Sequence, residues 1–199
     1  MIVRRFVTPV VAAMVLVGAC GGDPPPPPPP PPPQANQDSL RAYQDSVRRA
    51  QEAAQAEAAR LAAERTAAAE RARRVTAARA TLEEMVFFDY DESDVRDDAA
   101  AVLRRKVDIL RASPQVRIRI EGHADERGST EYNLALGNRR AEAVRQFLVG
   151  FGLAQDRFEI VSFGEGRPRQ QGATEQVWAQ NRRGEFIITA GANAINPAN

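Results

Sequence analysis

Polar groups able to hold a small ligand gather in two stretches of this sequence, Asp89-Tyr90-Asp91 and His123-Ala124-Asp125-Glu126-Arg127-Gly128. The second leads toward a helical segment opening at Ser129 or Thr130 and carrying Asn133, Arg139 and Arg140, with Arg140 placed 15 residues after Asp125. An ionised carboxylate only accepts hydrogen bonds, whereas a guanidinium only donates them, in a rigid planar fork. Held near each other, the two complement a ligand that bears both an ammonium and a carboxylate. Free backbone N–H groups at the start of the helix add a preference for an anion. The competing chemistry is hydrolytic, with Asp125 and Glu126 as a general acid and base. Each residue also has a plainer use: an Asp at a turn caps a helix, and an Arg139-Arg140 pair suits a solvated helix face. With one His and one Cys in 199 residues, a His-rich metal site and an intramolecular disulfide are both excluded. No cofactor or metal is called for.

These residues need strands and helices to place them. Residues 85–88 form a short apolar strand running into Asp89. Val95, Ala99, Val102, Leu103, Val107 and Leu110 share one helical stripe that Ser113-Pro114 ends. Val116, Ile118 and Ile120 alternate with Arg117, Arg119 and Glu121, the pattern of a half-buried strand. A polar loop at 122–130 follows, then a helix over 131–149 stopped by Gly150 and Gly152. Residues 158–163 make a third strand, 174–181 a short helix and 184–189 a last strand. The order βαβαβ(α)β predicts an α+β domain over residues 85–190, with helices on one face of a mixed sheet. Residues 191–199 are expected to be a flexible tail.

Upstream the composition changes twice. Arg4 and Arg5 precede an apolar stretch, 6–17, and Gly18-Ala19-Cys20. This basic, apolar and small-residue succession reads as an export signal at 1–19. As a helix of ~1.5 Å rise per residue the apolar stretch is too short for a hydrocarbon core of ~30 Å. Val17-Gly18-Ala19-Cys20 resembles a bacterial lipobox, so Cys20 is the expected lipidation site, with Gly21 after it favouring outer-membrane sorting. Residues 20–35 then form a linker whose unbroken prolines, 24–33, impose an extended polyproline rod. Residues 36–84 lack Gly and Pro and are rich in Ala, Arg, Glu and Gln, a solvated helical spacer braced by pairs such as Asp45 with Arg48 and Glu57 with Arg60. Leu40, Val47, Ala54, Leu61, Ala68, Val75 and Leu82 recur every seventh residue, but the companion seam carries Glu57, Glu64 and Arg71, which disfavours a two-stranded coiled coil. The totals, 27 Lys+Arg against 26 Asp+Glu, argue against a nucleic-acid partner.

Several spaced motifs together carry a family resemblance. Residues 120–128 followed by Asn133 and Arg139-Arg140-Ala141, together with 86–91, 160–165 and Asn181-Arg182-Arg183, resemble the OmpA-like peptidoglycan-binding domain. With the lipobox, the chain is most similar to the branch of peptidoglycan-associated lipoproteins. The resemblance implies non-covalent binding of the diaminopimelate of the cell-wall stem peptide and no catalysis. Asp125 matches the position that takes the ligand's ammonium, and Arg140 the one that takes its carboxylate. Asn133, Asp89, Tyr90 and Asp91 would line the groove, and Arg182 and Arg183 would fix the last loop. It further implies an outer-membrane lipoprotein facing the periplasm, held by lipid on Cys20, with Tol proteins such as TolB as partners.

Overall fold

The computed structural model describes residues 37–197. Cys20, the leader and the proline tract lie outside the described residues. The described residues divide into two units between residues 55 and 56. In the first, the described residues 37–55 belong to helix α1 (Gln37–Glu83) and are almost wholly exposed. Arg48 there pairs with Asp45 at 2.6 Å and with Glu52 at 3.9 Å, the i,i+3 and i,i+4 ladder that sustains a polar helix.

In the second unit α1 continues with the same kind of pair, Arg60 with Glu57 at 2.8 Å and Arg79 with Glu83 at 3.0 Å. Its last turns are not solvated spacer. Ala78 and Leu82 are buried in the domain's hydrophobic core, with Val75 packed against it. The folded domain therefore reaches back into the helix assigned as a spacer through residue 84, because burying an apolar pair against the core outweighs leaving it in water.

The remaining elements are β1 (Val86–Phe87), α2 (Asp97–Ala112), β2 (Arg117–His123), α3 (Thr130–Gly150), a 3-10 turn (Gln155–Arg157), β3 (Phe158–Gly164), α4 (Glu175–Asn181) and β4 (Arg183–Ala190). They form an α+β domain on a mixed sheet ordered β1-β4-β2-β3. The β2 and β3 strands run parallel, joined through α3 as a parallel pair requires, while β4 is antiparallel to both β1 and β2. Ile118, Ile120 and Phe186 face a core shared with Leu82 of α1, Leu103 and Val107 of α2, and Val144 and Leu148 of α3. Cross-strand neighbours Glu121 and Glu185 fall on the opposite face, each carboxylate held by an arginine, Arg119 or Arg183.

Two local features aim the loop after β2. First, α3 lies on β2 so closely that a Cβ on Gly122 would sit 1.8 Å from the Gly137 carbonyl oxygen. Only two glycines allow that contact. Second, Gly122 pairs with Ser162 but His123 with Gly164, a bulge that turns the strand ends beside the loop.

The C-terminal stretch differs from the expected flexible tail. Residues Ala192–Ala194 form a 3-10 turn, Ile195 enters the core, and the Asn196 N–H donates to Ser113 Oγ at 2.8 Å. An apolar residue placed four past Gly191, whose φ of +73° reverses the chain, is what docks it.

Candidate functional site

The loop after β2 is built around Asn133, which is buried in the first turn of α3. Its Nδ2 donates to the carbonyls of Asp125 at 3.1 Å and Arg127 at 3.2 Å, fixing the loop backbone from beneath. Ser129 caps α3 by accepting the Tyr132 N–H at 3.2 Å. Opposite stands the turn at 89–92, where Asp91 adopts a φ of +57° and its carboxylate accepts the hydroxyl of Tyr132. An Asp tolerates that left-handed conformation better than most residues.

Between these walls lies a cleft with about 90 Å³ of free space, lined by Tyr90, Asp91, Asp125, Arg127, Asn133 and Arg140, among others. Five of the six ligand positions anticipated from sequence therefore meet in one place. Asp89 does not line the cleft: its carboxylate pairs with Arg96 at 2.9 Å and its carbonyl faces Arg140.

Asp125 is buried and fully engaged. Its Oδ1 accepts Arg127 Nε at 2.9 Å and the Arg127 N–H at 3.1 Å, and its Oδ2 accepts Arg127 Nη2 at 2.7 Å and Arg182 Nη1 at 3.3 Å. Burial alone would raise its pKa, but the hydrogen bonds from Arg127 and Arg182 outweigh this and hold the carboxyl below the ordinary carboxylate range. It is thus an anion at neutral pH and ill suited to act as a general acid.

Arg140 corrects the simple clamp, in which a free fork awaits a carboxylate. Its side chain is fully buried. Nε donates to the Glu92 carbonyl at 2.8 Å, Nη1 to the His123 carbonyl at 2.8 Å and Nη2 to the Asp89 carbonyl at 2.9 Å. Arg140 is a staple joining α3, the end of β2 and the 89–92 turn, with its charge in the cleft wall. Burial, followed by repulsion from Arg182, lowers its pKa to about 10, so it remains a cation.

Other residues surround the site beyond the six expected to hold the ligand. Arg127 lies 3.9 Å from the Tyr90 ring centre and 4.1 Å from that of Trp178. Trp178 Nε1 also donates to Glu126 at 3.1 Å, so this half-buried tryptophan stands beside the cleft against Arg127. Arg182 bonds the Phe88 carbonyl, Asp125 and Glu175 together. Arg183 does fix the last loop, through the carbonyls of Asn181 and Arg167. The sequence signal for Arg127 was its position two residues after Asp125 within one turn.

His123 with Glu121 and Glu185 places three possible metal-ligand atoms within 4.8 Å. Arg119 and Arg183 already neutralise both carboxylates, at 2.7 and 2.5 Å, so the set offers a cation little net charge. His123 is a buried aromatic stacked on Phe163, with a ring-centre distance of 5.6 Å. Its pKa is lowered to about 4 by burial, then by Arg183, keeping it neutral.

Comparison with known proteins agrees with the fold. Residues 87–182 match the model of the OmpA family. The chain is 46% identical over 103 residues to the peptidoglycan-associated lipoprotein of Brucella melitensis, covering 52% of this chain and 61% of that one. To the protein of the same name from Pseudomonas aeruginosa it is 48% identical over 100 residues, covering 50% and 59%. It therefore spans about three-fifths of the length of these relatives. The crystal structure of the peptidoglycan-associated lipoprotein from Burkholderia pseudomallei superposes with a TM-score of 0.52 at 44% identity, covering 53% of this chain and 89% of that one. A βαβ-built mixed sheet, a loop anchored by Asn133 and this similarity across most of a solved relative lead to one assignment: the chain belongs to the OmpA family, with the peptidoglycan-associated lipoproteins among its relatives.

Proposed function

We propose that the chain binds peptidoglycan non-covalently through the cleft between the 89–92 turn and the start of α3. The ligand is the diaminopimelate of the stem peptide, with Asp125 receiving its ammonium. Arg140 contributes positive charge to the wall facing the carboxylate, although three of its donors serve backbone carbonyls. Tyr90, Asp91 and Asn133 complete the lining, and Asp89 acts from outside through Arg140. The observation that carries this reading is the meeting of a buried carboxylate and a buried guanidinium in one cleft of an OmpA-family domain. Its named relatives, peptidoglycan-associated lipoproteins, support the choice of ligand.

The wider role follows as part of the same proposal. Acyl chains on Cys20 hold one end of the protein in the outer membrane, facing the periplasm, and the domain grips the wall at the other. Each buried CH2 of an acyl chain contributes ~0.8 kcal/mol. The wall repeats its stem peptides, so a high local ligand concentration lets modest site affinity give lasting attachment. The tether acts within the Tol-Pal envelope system, with TolB as a partner. An ionised Asp125, and a Glu126 occupied by Trp178, favour binding over hydrolysis.

Incubating the purified full chain with isolated sacculi tests the proposal. The expected result is co-sedimentation without soluble muropeptides. Release of muropeptides would establish an enzyme instead, and failure to sediment would remove the wall-binding reading. In cells, Cys20→Ser is expected to move the protein from the membrane fraction to the soluble periplasm.

A further inference from the structure

The cation nearest to Asp125 comes from its own turn. Arg127 meets both carboxylate oxygens in a bidentate pair while its guanidinium is flanked by the rings of Tyr90 and Trp178, at 3.9 and 4.1 Å. A carboxylate at the end and aromatic faces on two sides are the elements of a cation-recognition box. The loop itself does not need this side chain for its shape, because Asn133 bonds the Asp125 and Arg127 carbonyls and the Arg127 N–H bonds Asp125.

The three arginines around the cleft differ in how firmly they are held. Arg140 is fully buried, and the Arg182 side chain is 6% exposed, each donating to backbone carbonyls. The Arg127 side chain is 27% exposed, and its guanidinium hydrogen bonds go to Asp125. A second acceptor waits on its solvent side: Glu175 Oε2 lies 3.7 Å from Arg127 Nη1 on a side chain that is 61% exposed. Arg127 can thus leave Asp125 without losing a carboxylate partner. Asp125 in turn keeps Arg182 behind it and presents its front to the cleft.

We propose that Arg127 is a resident stand-in for the ligand's cation: Asp125, Tyr90 and Trp178 form an ammonium subsite that the ligand enters by displacing the Arg127 side chain toward Glu175. This rests on the cleft being the ligand site; it gives the Tyr90 ring a cation-binding role and adds Trp178 and Glu175 as determinants of affinity. Binding strength is then the difference between two cations competing for one carboxylate. Removing the internal competitor tightens binding, the reverse of what a residue that merely contacts the ligand would do.

Trp178 is the only tryptophan of the sequence, so its emission reports on the guanidinium stacked against it. The full chain is titrated with the tripeptide L-alanyl-γ-D-glutamyl-meso-diaminopimelate, following heat and Trp178 fluorescence in parallel. A saturable change in emission with the same midpoint as the heat is expected. Arg127→Met should bind about five- to tenfold more tightly, tenfold being 1.4 kcal/mol, and should lose most of the emission change. Arg127→Lys, which restores a competing cation, should show no comparable gain. Heat of binding without a change in emission, or Arg127→Met binding as weakly as the native chain or more weakly, would overturn the stand-in while leaving the cleft as the site. Absence of binding heat in the native chain and in Arg127→Met alike would remove the cleft reading, and the stand-in with it.

Discussion

Lys106 places its Nζ 3.9 Å from the centre of the Phe186 ring, and both side chains are buried. From there it donates to the carbonyls of Thr81, Leu82 and Glu84 at 2.8, 2.9 and 2.6 Å. These carbonyls lie at the C-terminal end of α1, where helical geometry leaves acceptors unpaired. A buried cation from α2 therefore caps α1 and fastens its last turns to the core. Lys106 is also the only lysine in a sequence whose other 26 basic residues are arginines. A compact ammonium with three donors converges on closely spaced carbonyls in a way a planar guanidinium cannot.

That latch predicts a distinctive pH dependence. Burial lowers the Lys106 pKa from 10.5 to about 7, against a smaller opposing pull from Glu84. Between those two values the unfolded chain holds the proton more readily than the folded one, so stability rises with pH across this window. A shift of that size is worth about 5 kcal/mol as an upper figure. Urea unfolding of the native chain at pH 6.5, 8 and 9.5 should show increasing stability. Lys106→Met should be less stable at pH 9.5, with the Leu82 and Glu84 carbonyls deprived of its amine, and should lose this rise. A variant that kept the same pH slope would show that another group causes it.

Arg140 yields a prediction about folding rather than about the ligand. Arg140→Ala takes a donor from the buried His123 carbonyl and from the Asp89 and Glu92 carbonyls of the more exposed turn, where Asp89 keeps the Glu92 N–H at 3.3 Å. A buried acceptor so orphaned costs ~1–3 kcal/mol, a sizeable part of an ordinary domain's stability, and the partly exposed ones, which water can reach, cost less. The variant is therefore expected to unfold at lower denaturant concentration, and its loss of wall binding would then say little about ligand contact. Arg140→Lys keeps the charge but loses the fork, and should recover only part of the stability. Denaturation midpoints of the three proteins check the order.

What could be read directly was whatever rests on local periodicity. The alternation of Ile118 and Ile120 with Arg119 and Glu121 defined β2 and its two faces, since a strand repeats every second residue. The cleft was legible as a set of residues because loops after strands and the start of the next helix must be neighbours. What each charge does there was not legible. Whether Arg140 offers its fork to a ligand or to carbonyls depends on where the 89–92 turn comes to rest, a contact 48 to 51 residues away. The docking of α1 was hidden for a similar reason. Leu82 continues the same seven-residue stripe as Leu61 and Ala68, and only Lys106 and the core distinguish the buried end from the exposed one.

Asp125 offers the sharpest test of the cleft, because its charge can be removed with little change of shape. Asp125→Asn takes away the anion that an incoming ammonium would meet, while Arg182 retains Glu175 and the Phe88 carbonyl. Arg127, which is partly solvated, retains Glu175 nearby and its two aromatic neighbours. The fold should therefore survive, with an unchanged circular dichroism spectrum and a stability loss of about 1–3 kcal/mol. Retention on sacculi should fall at least tenfold, which corresponds to 1.4 kcal/mol of lost attraction. In the native protein the carboxyl is held below the ordinary carboxylate range, so it stays charged at pH 5 and binding should persist there. Undiminished retention of Asp125→Asn at neutral pH would mean that the wall is held somewhere other than at this carboxylate.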